Sequence, residues 1–247
     1  MGKLFNIYLL KCRFVIIFSY LLAVKFSLQA QDQLQKYNNE NMIWLGYYNS
    51  ISLKEHWKVN TDLQFRTKDW YVSPSQAILR SGINYKINET INISAGIAHS
   101  RYYISNIATR GELRPWQEIA LQVLNNKIKF INRFRSEQRF IEGIEIDNGS
   151  GDYLFNWRFR FKSEFQWTLS KKIDFVIGNE FMLNAGKNIT NNYFDQNRLY
   201  GGINAEFNKH FTFQIQYVYI WQLQTNGYTL NKINTIRLNL LHNINSK

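Results

Sequence analysis

The sequence predicts an all-β protein, an antiparallel transmembrane β-barrel of about 12 strands, with 10 strands as the alternative. Three observations predict this class. Apolar and polar residues alternate along many segments, turn-forming residues separate the segments, and one face of the segments is too aromatic to fit inside a small barrel. Residues 153–167, YLFNWRFRFKSEFQW, show the alternation: aromatic side chains occupy most odd positions, while Arg158, Arg160 and Lys162 occupy even ones. A period of two is the period of a β-strand.

Eleven segments read as strands. They are residues 42–53, 57–66, 77–88, 91–103, 115–124, 128–140, 153–167, 173–184, 196–208, 211–222 and 232–244. Single-chain bacterial barrels have an even number of strands. We therefore expect either a twelfth strand, hidden in 31–41 or in a long loop, or only ten strands in the barrel wall.

Short and long connections alternate along the chain. The short ones are 54–56, 88–90, 125–126, 170–172 and 208–210; the long ones are 69–76, 104–114, 141–152, 185–195 and 223–231. A membrane barrel with short periplasmic turns and longer outer loops shows this rhythm. Residues 147–152 (DNGSGD) superficially resemble a calcium-binding loop but lack its spacing and terminal Glu, so we interpret them as a flexible outer loop.

Volume and charge indicate which face of each strand points outward. Each aromatic side chain buries about 150–250 Å² of its surface, and ordinary side chains already fill the interior of a barrel of about eight strands. The aromatic side chains of all these strands would therefore not fit inside the barrel. A basic residue facing lipid costs about 2–4 kcal/mol at the membrane midplane. The aromatic face is therefore expected to meet lipid, and the charged face is expected to line the barrel interior.

The first thirty residues have the pattern of a secretory signal peptide. Lys3, Lys11 and Arg13 precede the apolar run 14–24, and a small residue, Ala30, follows at the expected cleavage position. This pattern predicts cleavage after Ala30 and export to the outer membrane.

The predicted organisation is a signal peptide (1–30), an N-terminal segment (31–41) and the barrel (42–247). The single cysteine, Cys12, lies in the signal peptide. An exported chain without cysteine has neither disulfides nor a thiolate metal site.

Charged residues recur at alternate positions of the predicted strands. The formal net charge is +12, but the basic residues stand singly rather than in a block, which argues against a nucleic-acid patch. The residues predicted to form a charge ladder in the interior are Glu118, Arg133, Arg135, Glu137, Arg139, Arg158, Arg160, Lys162, Glu164, Glu180, Arg198 and Glu206.

Turn positions predict which of these charges face each other. A two-residue turn at 125–126 places Glu118 opposite Arg133, and a three-residue turn at 170–172 places Lys162 opposite Glu180. Opposite charges across strands are stabilising, so one interpretation is a salt-bridge network that rigidifies a narrow interior.

A second interpretation is an anion-attracting patch. A symmetric loop at 141–152 would place Arg135 near Arg158 and Arg133 near Arg160, and facing arginines repel unless carboxylates or an anion lie between them.

Catalytic and metal-binding patterns are weak. His99 and Ser100 are adjacent, so a strand would point them to opposite faces, which is poor geometry for a nucleophile and its base. His56, His210 and His242 are interpreted as incidental polar residues. We expect no catalytic residue, no metal site and no cofactor.

Tryptophan and tyrosine residues near strand ends are expected to form interfacial girdles. They are Trp44, Tyr47, Trp70, Tyr71, Tyr102, Tyr103, Trp116, Trp167 and Trp221. Carbohydrate stacking at the outer mouth is the alternative interpretation of these rings.

Several motifs resemble domain of unknown function family 2490. The motifs are Trp44, Arg66, Tyr85, Gly96, 116–118, RFRSEQR (133–139), WRFRFKSEFQW (157–167), GNEFML (178–183), QNRLYGG (196–202) and Tyr217. The most specific positions are Glu137, Arg139, Arg158, Arg160, Asn179, Glu180, Asn197 and Arg198. The resemblance implies an outer-membrane β-barrel of gram-negative bacteria. It implies no particular activity, because none is established for that family.

The expected function is passive: a monomeric outer-membrane barrel, in contact with lipid, that acts as a narrow pore for small or anionic solutes or as a structural barrel. A lipid-modifying enzyme and a soluble lipocalin-like binder are the alternatives.

Overall fold

The computed structural model describes residues 36–142 and 153–245, and in these ranges the chain forms eleven strands. They are β1 (Lys36–Lys54), β2 (Trp57–Lys68), β3 (Ser73–Lys86), β4 (Ile91–Ile104), β5 (Ile107–Leu124), β6 (Ile128–Glu142), β7 (Tyr153–Ser170), β8 (Ile173–Ala185), β9 (Phe194–Glu206), β10 (Phe211–Leu223) and β11 (Thr229–Asn245). No helix in the described ranges is long and apolar enough to cross a membrane. The predicted signal peptide (1–30) and the predicted outer loop at 147–152 lie outside the described residues.

The strands follow one another in chain order around a closed barrel. Successive strands are antiparallel, but β1 and β11 close the barrel as a parallel pair, from Lys36↔Thr229 to Ser52↔Asn245. The predicted counts of 12 and 10 are therefore wrong for the described chain, and the fully antiparallel wall is wrong at this one seam. An odd number of strands in chain order makes the first and last run in the same direction, which requires a parallel seam.

The N-terminal boundary of the barrel also differs from the prediction. β1 begins at Lys36, so residues 36–41 lengthen the first strand instead of forming a separate one. Their pairing with β11 accounts for this, since Asn41 lies directly opposite Asn234.

One predicted long loop is strand. β4 and β5 are joined by Ser105 and Asn106 alone, whose φ angles of 49° and 69° are those of a tight hairpin turn with two left-handed residues. The predicted strand begins at Pro115, whereas β5 begins at Ile107 and carries this proline in its interior. Pro115 lies opposite Ile97 of β4.

The barrel wall separates exposed apolar side chains from buried charged ones. Leu63, Phe161 and Ile215 are 53%, 42% and 54% exposed, whereas Arg158 and Glu180 are 6% and 5% exposed. This separation is the alternation that the sequence predicts.

Part of the interior is apolar, which the alternation did not predict. Val218 and Ile220 are fully buried at positions of β10 where neighbouring inward residues are glutamines. They belong to a buried cluster formed by Met42, Trp44, Val176, Tyr200, Val218, Ile220 and Ile233. Where both faces of a strand are apolar, alternation carries no information about which residue points inward.

Glycines let a large ring lie flat against the inner wall. A Cβ atom at Gly82 or Gly96 would lie 2.5 Å or 2.7 Å from the ring of Trp116. These glycines lie opposite each other on β3 and β4, so the indole of β5 covers backbone at both positions.

Candidate functional site: the charged barrel interior

The barrel encloses a cavity of about 430 Å³ whose lining carries more basic than acidic residues. The eleven basic ones are Arg66, Lys68, Arg80, Arg114, Arg133, Arg139, Arg158, Arg160, Lys162, Arg198 and Arg237. The five acidic ones are Glu40, Glu137, Glu164, Glu180 and Asp195. The lining therefore carries an excess of basic side chains, some of which pair with carboxylates just outside it, such as Asp62 with Arg80 and Glu112 with Arg114.

Glu137 is the centre of one group of ion pairs. Its carboxylate accepts hydrogen bonds from Arg158 and, at 2.7 Å, from Arg160, while an Arg135 nitrogen lies 4.0 Å away. Arg158 also lies 3.4 Å from Asp195 of β9. Carboxylates of β6 and β9 thus lie among guanidinium groups of β6 and β7.

Glu180 and Glu118 extend this network. Glu180 pairs with Arg133, with Arg160 at 2.7 Å and with Arg198 at 3.3 Å. Glu118 pairs with Arg135 at 2.6 Å and with Arg133 at 3.4 Å. A buried carboxylate shared among several arginines holds β5 to β9 in one register.

Glu112 forms a second group that the sequence analysis missed. It is 1% exposed and lies 2.6 Å from Arg114 and 2.5 Å from Arg139, and the hydroxyl of Tyr102 donates to it at 2.6 Å. The signal that could have found it is the alternation of Gly111, Leu113 and Pro115 with Glu112, Arg114 and Trp116, which extends the predicted strand 115–124 toward its N-terminus. Asp62 and Arg80, paired at 2.7 Å, were also missing from the predicted ladder.

The predicted register is right at one hairpin. Lys162 lies opposite Glu180, although its ammonium group pairs with Glu164 at 2.8 Å. Glu164 also accepts a hydrogen bond from the Tyr200 hydroxyl at 2.7 Å.

At the hairpin of β5 and β6 the predicted register is wrong by two residues. Glu118 lies opposite Arg135, not Arg133. Asn125 and Ile128 exchange backbone hydrogen bonds of 2.8 Å and 3.2 Å, so the two turn residues are 126–127 rather than 125–126. Moving a turn by one residue moves the register by two.

The same error affects the predicted arginine patch between β6 and β7. Arg135 lies opposite Arg160, Arg133 opposite Lys162, and Glu137 opposite Arg158. Like charges do face each other, but Glu137, Glu118 and Glu180 lie among them. The patch is therefore neutralised by carboxylates at the place where the sequence predicted an anion site.

Three other arginines are held by amide oxygens. Arg66 donates to Gln76 at 2.9 Å and to Gln64 at 3.2 Å. Arg198 donates to Gln196 at 2.9 Å, and Arg237 donates to Gln216.

Ion pairing differs among these three arginines. Among the described residues Arg66 and Arg237 have no carboxylate within ion-pair distance, and Arg198 has only its 3.3 Å contact with Glu180. A neutral amide leaves the positive charge of its arginine in place.

Aromatic rings support the same three guanidinium groups. Those of Arg66 and Arg198 lie 4.0 Å and 5.0 Å from the ring centre of Trp44, and that of Arg237 lies 4.9 Å from the ring of Tyr200. Trp44 and Trp116, both 5% exposed, were predicted as interfacial residues and lie in the interior instead. The residues two positions away on the same strands, such as Met42 on β1 and Arg114 on β5, are buried in the interior too, as the two-residue period of a strand requires.

The remaining predicted residues lie apart from the cavity. Glu206 is exposed at the end of β9. Asn179 and Asn197, which the family motifs singled out, hydrogen-bond to each other at 2.5 Å on the face opposite to Glu180 and Arg198. Tyr71 and Trp167, 78% and 55% exposed, are the kind of exposed ring that an interfacial girdle requires.

Catalytic and metal sites find no support in the described residues. Ser100 is fully buried, whereas its neighbour His99 is exposed on the outer wall. Within the described ranges no group of three His, Cys, Asp or Glu side chains is arranged to hold a metal ion.

The chain matches one family model, described as "Protein of unknown function (DUF2490)", over residues 41–231. Among solved structures it is similar to the NanC porin, with 11% identity and a TM-score of 0.48, covering 77% of this chain and 93% of that one. No curated protein matches the sequence.

Proposed function

This chain belongs to the DUF2490 family of proteins of unknown function, and from its geometry we propose that it is an outer-membrane β-barrel that acts as a narrow, passive pore for small anionic solutes. The observation that carries the proposal is the cavity of about 430 Å³, lined by eleven basic and five acidic residues. An enclosed passage with one dominant sign of charge concentrates ions of the opposite sign.

The outer wall supports a membrane location. Large apolar side chains are exposed all around the barrel, including Leu45 on β1, Leu79 on β3, Ile119 on β5, Phe161 on β7 and Ile215 on β10. Water-soluble monomers rarely expose contiguous apolar surface of more than about a few hundred Å², whereas a membrane barrel has an outward-facing apolar band. Lipid is the environment that such a wall fits.

Unpartnered polar atoms support a hydrated interior. Ser100 Oγ, Arg66 Nε and Arg237 Nε are buried without a hydrogen-bond partner. Buried polar groups nearly always have a partner in the protein or in ordered water. Water in the cavity would supply these partners and form part of the path for a solute.

A structural barrel without conductance is the second candidate. The apolar cluster around Val218 and Ile220 and the carboxylate-bridged arginines around Glu137 and Glu180 both lie inside the barrel. If these groups block the passage, the same interactions would serve only to rigidify the wall. The two candidates differ in one measurable property, ionic current.

Planar-bilayer recording of the detergent-refolded protein tests the proposal. A pore predicts steady current steps and a reversal potential, under a KCl gradient, that indicates preference for chloride. The double variant Arg66→Gln/Arg237→Gln should lower that preference, whereas Lys172→Gln, a turn lysine outside the cavity lining, should not. Absence of current from protein with full β-structure would contradict the pore and favour the structural barrel.

A further inference from the structure

We propose that Arg66, Arg198 and Arg237 form a binding site for an oxyanion, the carboxylate or phosphate group of a small solute, on the inner wall formed by β1, β2, β9 and β11. The inference rests on the proposed function, since the solute must enter the barrel. It assigns the anion site to residues other than the Arg133–Arg160 group that the sequence predicted.

The register brings these residues together. Trp44 of β1 lies directly opposite Arg66 of β2 on one side and Arg237 of β11 on the other. Arg198 reaches the same ring from β9. The site therefore needs the parallel closure of the barrel, because only that seam places β11 beside β1.

Neutral amides hold all three guanidinium groups, and only Arg198 also pairs with a carboxylate, that of Glu180 at 3.3 Å. Amide oxygens of Gln64, Gln76, Gln196 and Gln216 accept from the three arginines. On the wall formed by β5 to β8 most arginines are bridged by Glu112, Glu118, Glu137 or Glu180. The interior thus has one wall whose charges are compensated and one wall that carries an excess of positive charge.

Unpartnered donors remain at the site. Nε of Arg66, Nε of Arg237 and Nε1 of Trp44 are buried without an acceptor. Trp44 is 5% exposed and Arg198 8% exposed, and all four residues of the site line the cavity. A buried donor without an acceptor is costly, so these groups would gain from a ligand that brings acceptor oxygens.

The chemistry of the side chains indicates the ligand class. A guanidinium group is a planar fork of donors that matches the oxygens of carboxylate and phosphate, and such charge-assisted bonds are about twice as strong as neutral ones. The ring faces of Trp44 and Tyr200 are occupied by guanidinium groups. They orient the arginines and are not free to stack on a solute.

Isothermal titration calorimetry of the detergent-refolded protein with sodium phosphate and with sodium acetate, in a zwitterionic buffer of low ionic strength, tests the site. We expect saturable binding of at least one anion. Arg66→Gln and Arg198→Gln should each weaken it by at least about tenfold, the loss expected for one charge-assisted hydrogen bond. The matched control is Lys68→Gln, which removes one positive charge from the cavity lining where the side chain is 48% exposed, and it should change affinity by less than about twofold.

Conservative variants guard against loss of folding. Arg66→Lys and Arg198→Lys keep the charge but remove the fork, so they should bind more weakly than the parent. If Lys68→Gln weakens binding as much as the arginine variants do, a diffuse positive potential in the cavity accounts for the binding, and the site is overturned. Absence of binding by the parent protein would overturn the site as well. Binding without current in bilayers would contradict the pore and leave the anion site in place. Current without binding would overturn the anion site and leave the pore in place.

Discussion

Arg135 on β6 and Arg160 on β7 lie directly opposite each other, and the carboxylate of Glu137 lies between their guanidinium groups. Facing like charges destabilise a sheet. Glu137 offsets this repulsion, with one oxygen 2.7 Å from Arg160 and 4.0 Å from Arg135. Glu137, which is 3% exposed, shares this role with Glu118, 2.6 Å from Arg135, and with Glu180, 2.7 Å from Arg160.

Glu137→Gln should lower the free energy of unfolding by about 3–5 kcal/mol, since it leaves buried Arg158 with only its 3.4 Å contact to Asp195 and removes one of the two carboxylates that pair with Arg160. The measurement is urea unfolding of the protein refolded into lipid vesicles. Glu206→Gln, which removes an exposed carboxylate at the end of β9, is the control and should change stability by less than about 0.5 kcal/mol. Equal unfolding curves for the parent and Glu137→Gln would contradict this account of the network.

Gly96→Ala should destabilise the barrel by about 1–3 kcal/mol, because the added methyl group would lie 2.1 Å from the backbone oxygen of Ser81 and 2.7 Å from the ring of Trp116. Displacement of the ring should also change the tryptophan fluorescence. Gly201→Ala is the control, because its methyl group would meet only the oxygen of Val176, at 3.7 Å. The explanation fails if the two alanine variants are equally stable.

The parallel closure predicts a disulfide. Asn41 and Asn234 lie opposite each other on β1 and β11 and are hydrogen-bonded at 3.2 Å, so cysteines at both positions should cross-link on oxidation. Non-reducing electrophoresis of Asn41→Cys/Asn234→Cys would detect the bond. Asn41→Cys/Ile236→Cys, shifted by two residues on the same face, should not cross-link. Any strand inserted between β1 and β11 would abolish the first cross-link.

A lipid-facing wall predicts a position-dependent penalty for charge. Leu79→Arg, at a half-exposed position in the middle of β3, should lower the stability of the membrane-inserted barrel by about 2–4 kcal/mol. Ile107→Arg, at the tight turn between β4 and β5, should cost less than about 1 kcal/mol. Urea unfolding in lipid vesicles compares them. Equal, small effects would indicate that the wall meets water.

Hairpin geometry was only partly readable from the sequence. The tight turn between β7 and β8 gave the right partner for Lys162, since the strands on both sides alternate clearly. The turn after β5 offered two asparagines and a lysine, and residues 126–127 rather than 125–126 form it. Local residue preferences did not separate these two turns, although they differ by two residues in register and hence in which ion pairs form.

The sequence by itself determined the class of fold, most of the strands of the wall and, where apolar and polar residues alternate, the face that a strand turns outward, because alternation is a local property of the strand. Tertiary structure alone decided how the barrel closes and which arginines are neutralised. The 11-strand count follows from the pairing of residues 36–52 with β11, and the free charges of Arg66 and Arg237 follow from the glutamines beside them. Both depend on which strands become neighbours, and an alternating pattern read along one strand contains no information about the next.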